Sequence, residues 1–217
     1  TQGEVLLAER QSAGGGRRGG GFASPAGGLY RGMVLRPWFD ISDAMLVTTA
    51  AAVAVSRAVS KLCGIELDIK WVNDLFLNGH KCCGILSEAG TDFETGGVEY
   101  IVVGMGTNYT TKPEEFPPEL RDIAISLYPQ GHAPVPRAQL AAAIRQELLE
   151  LFAGLPKHTF LPEYRRRSLA PGREVTVLAA EPCPAKAVGI DEAARLVVEK
   201  RDGSRVALSA GEISIRL

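Results

Sequence analysis

Two lysines, two asparagines and an aspartate lie in the segment KWVNDLFLNGHK, residues 70–81. Lys70, Asn73 and Asp74 put a cation, an amide and a carboxylate at the edge of a predicted strand. That grouping suits an anionic ligand and its metal ion. The same residues also occur where a solvent-exposed lysine lies beside a turn-forming Asn-Asp pair. This segment alone therefore leaves both interpretations open.

The second half of the segment predicts a β-hairpin. Asn78-Gly79 separates two apolar runs, and a two-residue turn of the primed type needs positive φ at both central positions. Lys81 then lies just past the turn, at the start of the return strand. We take residues 70–88 as the candidate active site.

A glycine-rich segment, residues 14–21, surrounds Arg17 and Arg18 with six glycines. It matches the dinucleotide-binding pattern G-x-G-x-x-G, but FASPAGG follows where that motif requires a helix. Uncovered backbone amides beside two guanidinium groups can form a cradle for an anion. A flexible surface loop has the same composition, and both interpretations stay open here.

Gly104, Gly106 and Asn108 follow the apolar strand predicted over residues 98–104. Two alternate glycines at the end of a strand let a flat ligand lie against the backbone, and Asn108 is then placed to hydrogen-bond a nucleotide or sugar. A β-bulge is the structural alternative.

Composition describes an ordinary globular chain of 217 residues with net charge -1 and a pI near 6.3, which gives no overall attraction to nucleic acid. Its longest apolar run, residues 50–55, is far shorter than the roughly 20 residues of a membrane span, and no signal peptide is evident. We expect a cytoplasmic protein that is not bound to a membrane. Four cysteines without a CxxC pair and three scattered histidines predict reduced thiols and no zinc site.

Apolar periodicity predicts the elements that position these residues. The predicted helices cover residues 42–62, 119–127, 137–152 and 160–168, the first with Ser42 as its N-cap and Gly64 as its stop. The other predicted strands of this part cover residues 5–8, 29–36 and 65–71. From residue 171, five short strands at 174–178, 186–190, 196–200, 205–209 and 213–216 predict a small barrel.

Taken together and in order, four segments resemble the biotin-protein ligases, also called biotin-[acetyl-CoA-carboxylase] ligases. The segments are AERQSAGGGRRGGGF, KWVNDLFLNGHK..GILSE, VVGMGTN and AGEISIR. The resemblance runs from about Glu4 to Arg216. It implies an α+β fold: a mixed sheet with flanking helices, related to class II tRNA-synthetase cores, at residues 1–169, and an SH3-like β-barrel at residues 170–217.

The resemblance also implies a two-step reaction with ATP, Mg²⁺ and biotin. The biotin carboxylate attacks the α-phosphate of ATP to give biotinyl-5′-AMP and pyrophosphate, and a lysine of a biotin carboxyl-carrier domain of a carboxylase then takes the biotinyl group. Catalysis of this kind depends on positioning and charge stabilisation.

The resemblance assigns site residues at matching positions. Catalytic positions are Lys81, the family's essential lysine, and Arg17. Biotin-binding positions are Gln11, Gly14, Gly15, Gly16, Arg17, Lys81, Gly84, Gly104 and Gly106. Nucleotide-binding positions are Arg17, Arg18, Lys70, Asn73, Asp74 and Asn108. Asp74 is also the predicted Mg²⁺ contact.

Two departures from the family pattern bear on these expectations. Gly15 and Gly20 stand where relatives usually have arginine, so we predict weaker retention of biotinyl-AMP. The family's upstream Ser/Thr-rich segment would precede Thr1, so the catalytic domain is expected to lack its first segment. No helix-turn-helix pattern is present, so we expect no repressor function.

Two alternatives remain beside the ligase. The chain could be a non-catalytic or impaired binder of biotin or biotinyl-AMP, or a relative of the lipoate-protein ligases, although the KWVND hairpin and the barrel favour biotin. Homodimerisation through an edge strand is possible, and the acceptor carboxylase is not identified by the sequence.

Overall fold

The computed structural model describes residues 1–16, 19–39, 46–92, 94, 96–178, 181–209 and 212–215. Two sheets and a layer of helices make up this part of the chain, which confirms the predicted α+β class. Within the described residues no helix is long and apolar enough to cross a membrane.

The first sheet has six strands in the order β1-β2-β6-β5-β4-β3. Their bounds are β1 (Val5–Ala8), β2 (Leu29–Leu35), β3 (Asp68–Lys70), β4 (Asp74–Leu77), β5 (His80–Thr91) and β6 (Val98–Thr107). Neighbouring strands pair antiparallel. Two parallel bridges, Ile69 to Ser168 and Lys81 to Ala124, join further segments to the sheet and make it mixed, as predicted.

Within the described residues three α-helices pack against this sheet: α1 (Val47–Cys63), α2 (Arg137–Ala153) and α3 (Leu161–Arg167). Helix α1 is rich in alanine and valine and is buried along most of its length, so that α2 packs closely against it. It ends as predicted at Gly64, which has φ +66° and donates its N–H to the Ser60 carbonyl. The predicted N-cap Ser42 lies outside the described residues.

The helix predicted over residues 119–127 is wrong. Only a 3₁₀ turn, Pro118–Leu120, forms there, and a second one precedes it at Pro113–Glu115. The following backbone pairs with β5 instead: Lys81 donates its N–H to the Ile123 carbonyl, and Ile125 donates to the Lys81 carbonyl, both at 2.9 Å. This pairing with a distant strand uses backbone N–H and C=O groups that a helix would need for its own hydrogen bonds. The apolar periodicity of residues 119–127 does not reveal this pairing.

Strand lengths also differ from prediction. The strand expected over residues 65–71 is limited to Asp68–Lys70, because the chain turns sharply at residues 71–73. The strand expected over residues 98–104 continues to Thr107, so Gly104 and Gly106 lie inside β6. Its register with β5 is regular at both glycines, and the predicted bulge alternative is therefore wrong.

The second sheet is a five-stranded antiparallel unit in the order β10-β9-β8-β7-β11, as expected for the small barrel. Its strands are β7 (Glu174–Leu178), β8 (Cys183–Ile190), β9 (Leu196–Lys200), β10 (Arg205–Leu208) and β11 (Glu212–Ile215). Its buried residues, among them Val175, Ala187 and Leu196, belong to the same apolar cluster as Ile69 and Leu75 of the first sheet. The domain boundary after residue 169 stays a prediction.

Glu163 of α3 is the centre of a half-buried ion-pair cluster. Its carboxylate accepts hydrogen bonds from Arg57 Nε at 2.6 Å and from Arg167 Nε at 2.9 Å, and only 18% of its side chain is exposed. Burial alone would raise the pKa of Glu163, but the hydrogen bonds and charges of Arg57 and Arg167 outweigh burial and hold this pKa below its usual value. The pair with Arg57 also fastens α3 to α1.

Replacing Glu163 by glutamine should lower the free energy of unfolding at pH 7 by about 1–3 kcal/mol. Because the pKa of Glu163 is lowered on folding, its contribution is fully present above the unfolded value near 4.3 and is lost as pH falls through the folded pKa. Urea midpoints of the two proteins should therefore converge below about pH 4. Glu99→Gln, which breaks an exposed pair with Arg36, is the matched control and should change little. A difference that persists undiminished at pH 3 would contradict this account.

Candidate active site

The described part of the glycine-rich segment forms a small hairpin against the first sheet. Gly15 pairs with Gly21 in an antiparallel bridge, and Gly16 donates its N–H to the Gly20 carbonyl at 2.7 Å. Phe22, directly after this hairpin, turns its ring down onto the sheet. The described backbone is therefore paired, in contrast to the flexible loop considered above.

Arg17 and Arg18, which the sequence assigned to the nucleotide and biotin, lie outside the described residues. Their predicted roles stay predictions. The hairpin places the flanking residues Gly16 and Gly20 on the wall of a cleft, and the arginines belong to the segment between them.

Gly84 and Gly106 form the floor beneath Phe22. They face each other across β5 and β6, and a Cβ atom would come within 2.8 Å of the Phe22 ring at Gly84 and within 2.5 Å at Gly106. Glycine is required at both positions because the ring packs directly on the backbone. At Gly104 the nearest atom to a Cβ would be the Leu86 carbonyl oxygen at 3.5 Å, an ordinary van der Waals contact.

These distances predict different effects for two neighbouring substitutions. Gly106→Ala should displace Phe22 and weaken the biotin binding that the family resemblance implies roughly tenfold or more, since overpacking costs about 1–3 kcal/mol. Gly104→Ala, in the same strand and on the same face, should be tolerated within about twofold. Isothermal titration of both variants with biotin checks this. Equal losses in the two would show that the Phe22 contact does not matter.

A β-bulge aims Lys81 into the cleft. Asp74 faces Gly84 across β4 and β5, but Phe76 faces Lys81, so β5 contains one extra residue, Cys82. Because successive side chains on a strand alternate between faces, this insertion moves Lys81 to the face that carries Asp74. The bulge is thus the local feature that turns the Lys81 side chain toward the cleft.

Lys81 is half-buried and held by contacts on its backbone and its side chain. Its Nζ lies 2.7 Å from Asp74 Oδ1, with 34% of the lysine and 22% of the aspartate side chain exposed. The same ammonium lies 5.7 Å from the centre of the Phe22 ring, an attractive cation–π geometry. The bonds to Ile123 and Ile125 fix its backbone, so that only the side chain is free to move.

The turn at residues 71–73 presents Lys70, Asn73 and Asp74 at one end of the cleft. Asn73 is fastened to β5 from both sides: its Nδ2 donates to the Ile85 carbonyl at 2.7 Å, and Ile85 donates its N–H to the Asn73 carbonyl at 3.1 Å. Lys70 Nζ lies 5.7 Å from the Phe76 ring centre. The asparagine therefore fixes the turn, whereas Lys70 and Asp74, the latter paired with Lys81, present their charges to the cleft.

The cleft between the hairpin, the floor and this turn has a volume of about 520 Å³, a size suited to a small ligand. Most of the predicted site residues that the structure describes line it: Gln11, Gly15, Gly16, Lys70, Asn73, Asp74, Lys81, Gly84, Gly104 and Gly106. A positive charge therefore lies between an apolar floor and a polar end, an arrangement that suits a ligand with a carboxylate or phosphate at its middle.

Two predicted site residues do not line the cleft. Gly14 lies in the base of the hairpin, where a Cβ atom would be 2.3 Å from the Phe22 carbonyl oxygen. Asn108 is only 4% exposed, and its backbone carbonyl accepts from Leu127 while its Nδ2 lies 3.5 Å from the Lys81 carbonyl. The structure thus places Asn108 behind Lys81, where its backbone links β6 to the loop before residue 128.

Some residues of the cleft wall were not assigned roles but lie inside the predicted segments 14–21 and 70–88: Gly20, Gly21, Trp71, Ile85, Leu86 and Glu88. Sequence reasoning missed the others: Phe22, Arg31, Met105, Leu178, Ile213 and Ser214. Phe22 could have been found, since it follows the glycine segment directly. Leu178, Ile213 and Ser214 come from the barrel, and no local pattern connects them with a site formed 100 residues earlier.

Buried Arg31 and Cys83 lie beneath the floor. Burial lowers the pKa of Arg31 to about 10, so the guanidinium stays charged at neutral pH. Burial raises the pKa of the Cys83 thiol to about 11, which keeps the sulfur protonated and unreactive. All four cysteines are free, and those of β5 are fully buried.

Residues 1–108 match the Biotin/lipoate A/B protein ligase family, and residues 172–216 match the Biotin protein ligase C terminal domain. The biotin--[acetyl-CoA-carboxylase] ligase of Mycobacterium tuberculosis is 32% identical over 225 residues, covering 97% of this chain and 78% of that protein. The bifunctional ligase/repressor BirA of Bacillus subtilis is 32% identical over 214 residues, 96% of this chain. The chain spans 65% of the length of that relative.

Among solved structures, the chain is similar to a biotin protein ligase from Aquifex aeolicus in complex with biotin and ATP. The TM-score is 0.81 at 26% sequence identity, and the match covers 100% of this chain and 90% of the other. The similarity extends through the sheet, the helices and the barrel, which confirms the predicted architecture.

Proposed function

Because this chain belongs to the Biotin/lipoate A/B protein ligase family, we propose that it is an ATP-dependent biotin-protein ligase. The observation that carries the proposal is the placement of Lys81: a half-buried ammonium, aimed by a bulge, between a glycine floor and Asp74. Two anions, a carboxylate and a triphosphate, must meet in the first step. A positioned cation between them reduces their repulsion and stabilises the charge of the transition state.

In the proposed first step, a carboxylate oxygen of biotin forms a bond to the α-phosphorus of ATP. The bond from that phosphorus to the bridging oxygen breaks, and pyrophosphate leaves with the electron pair. In the second step, a lysine amine of a carrier domain attacks the acyl carbon of biotinyl-5′-AMP, AMP leaves, and the amine loses a proton. Lys81 contacts the carboxylate and the α-phosphate in the first step.

The two ends of the cleft suggest where each substrate lies. The end of the cleft beside Phe22, whose ring covers Gly84 and Gly106, is apolar and suits the biotin rings, and Gln11 also lines the cleft. The turn with Lys70 suits the phosphates. Arg17 and Arg18 remain candidates for the phosphates and the biotin carboxylate, on the basis of the family resemblance.

Asp74 fits the predicted contact to Mg²⁺. Among the described residues no three of His, Cys, Asp and Glu lie together as a dedicated metal site. Mg²⁺ commonly binds through one or two carboxylates together with substrate phosphates, so a single carboxylate at the phosphate end is sufficient. Mg²⁺ bound there would neutralise phosphate charge during adenylation. Asp74 would then exchange its pairing with Lys81 for the metal ion, freeing the lysine for the substrate carboxylate.

Two features favour biotin over lipoate. The C-terminal match is to a biotin protein ligase domain, and Ile213, Ser214 and Leu178 of that barrel line the cleft. The partner that fits this activity is a biotin carboxyl-carrier domain of a carboxylase. An impaired enzyme that binds biotinyl-AMP weakly is the second candidate, because Gly15 offers no side chain to the cleft.

The test is biotin-dependent exchange of labelled pyrophosphate into ATP by the purified protein. Exchange with biotin, none with lipoate and none in Lys81→Ala would support the ligase. A folded protein that binds biotin without exchange would favour the binder, and exchange with lipoate alone would favour the lipoate ligases.

A further inference from the structure

The turn at residues 71–73 is supported from the C-terminal part of the chain. The Ile69 carbonyl before it accepts from the Leu169 N–H at 2.9 Å, and the Val72 carbonyl accepts from the Tyr164 hydroxyl at 3.0 Å. The turn that presents Lys70 and Asp74 to the cleft is therefore held by residues that lie more than 90 positions later in the sequence.

Trp71 connects this turn to the barrel. Its side chain lines the cleft and is buried, at 4% exposure, and its Nε1 donates to the Ala194 carbonyl at 3.0 Å. Ala194 belongs to the turn between β8 and β9, residues 191–195, which we call the barrel turn. It is also only 4% exposed and has φ +57°, a left-handed conformation unusual for alanine. One side chain thus touches the cleft at one edge and the barrel turn at the other.

The barrel turn is held by hydrogen bonds within it and by contacts with α3. Asp191 Oδ1 accepts the backbone N–H groups of Ala193 and Arg195, both at 2.9 Å, which closes the turn. Arg165 of α3 donates from Nε to the Ile190 carbonyl at 2.9 Å and pairs with Glu192 at 2.7 Å. No residue of the barrel turn lines the cleft, and the turn meets the cleft wall at Trp71.

We propose that the barrel turn is a positioning element for the nucleotide end of the cleft, acting through the hydrogen bond from Trp71 to the Ala194 carbonyl. The inference rests on the proposed ligase function. Trp71 lies three residues before Asp74 and two before Asn73, so a shift of the indole moves the residues that face the phosphates. Biotin, proposed at the apolar end beside Phe22, would lie away from this contact. Since coupling between two sites is reciprocal, ATP binding must in turn strengthen the docking of the barrel turn.

The test uses Arg165→Met in the full chain, because Arg165 tethers the barrel turn without lining the cleft. In the pyrophosphate-exchange assay, the KM for ATP should rise roughly fivefold, with the dissociation constant for biotin unchanged within about twofold. Trp71→Phe, which keeps a ring but removes the donor, should give the same split. Arg205→Met, which breaks an exposed barrel pair with Glu199, is the matched control and should leave both values unchanged.

A second measurement does not depend on turnover. Addition of ATP with Mg²⁺ should slow amide hydrogen exchange in residues 191–195 at least about threefold, whereas biotin alone should not. Arg165→Met should reduce this protection.

A parent protein without exchange activity would refute the proposed function and the inference with it. An active parent whose Arg165→Met variant keeps its KM for ATP would overturn the inference alone. An equal rise in Arg205→Met would also overturn it, since general loosening of the barrel would then be the cause.

Discussion

Replacing Lys81 by alanine should abolish measurable pyrophosphate exchange, with a loss in kcat/KM of at least about 10²–10³-fold. Among the described residues, the ammonium pairs with Asp74 and lies 5.7 Å from the centre of the Phe22 ring. A group that neutralises charge in the transition state is worth far more in such a half-buried site than in water. The first step, in which the charge is concentrated, should lose more than the transfer to the carrier lysine.

The loss should not arise from unfolding. The backbone of Lys81 is held by Ile123 and Ile125, and those bonds do not involve the side chain. Removal of the ammonium does leave the Asp74 carboxylate unpaired, so Lys81→Ala combined with Asp74→Asn controls for that charge. His80→Ala, at the exposed neighbouring position, should keep full activity. A stable Lys81→Ala protein with exchange within tenfold of the parent would remove Lys81 from the catalytic centre.

Lys81 also shows what the sequence could and could not predict. The hairpin turn was predictable, since Asn78 and Gly79 have φ +50° and +79°, the values that an Asn-Gly turn demands. The direction of the Lys81 side chain was not, because it depends on the extra residue Cys82 opposite Leu75 and Phe76. A bulge is a property of two strands together, and the sequence of one strand does not reveal it.

The same distinction holds for the rest of the fold. Helices α1 and α2 were predicted from periodicity because their apolar stripes face one large core. The segment at residues 119–127 has a similar composition, yet its backbone pairs with Lys81 of β5 instead of forming a helix. Similarly, Gly106 was identified as a close-approach position, but the ring that approaches, Phe22, comes from a loop 84 residues away. Contacts between residues far apart in the sequence therefore determine the structure of segments whose local sequence pattern fits more than one conformation.

Gly15→Arg should slow the release of biotinyl-AMP from the protein by roughly 10- to 100-fold. Gly15 lines the cleft on the hairpin arm that covers the floor, and the nearest atom to a Cβ there would be Leu86 Cδ2 at 3.8 Å. Its φ is outside the left-handed region, so an arginine can occupy the position without backbone strain. The new guanidinium would reach an anion in the cleft and form a charge-assisted hydrogen bond that glycine cannot form.

The neighbouring glycine supplies the control. At Gly16 a Cβ atom would come within 2.9 Å of the Gly20 carbonyl oxygen, so Gly16→Ala should disturb the hairpin and speed release, whereas Gly15→Ala should have almost no effect. Release is measured by trapping the free adenylate after a single turnover, and labelling of added bystander lysines gives an independent readout. Because a longer-lived complex also delays transfer, biotinylation of a carrier domain should become more selective in Gly15→Arg without becoming faster. Release of the adenylate from Gly15→Arg and Gly15→Ala at the parent rate would show that charge at this position does not limit retention. The absence of an arginine at Gly15 would then not explain the weak retention of biotinyl-AMP predicted from the sequence.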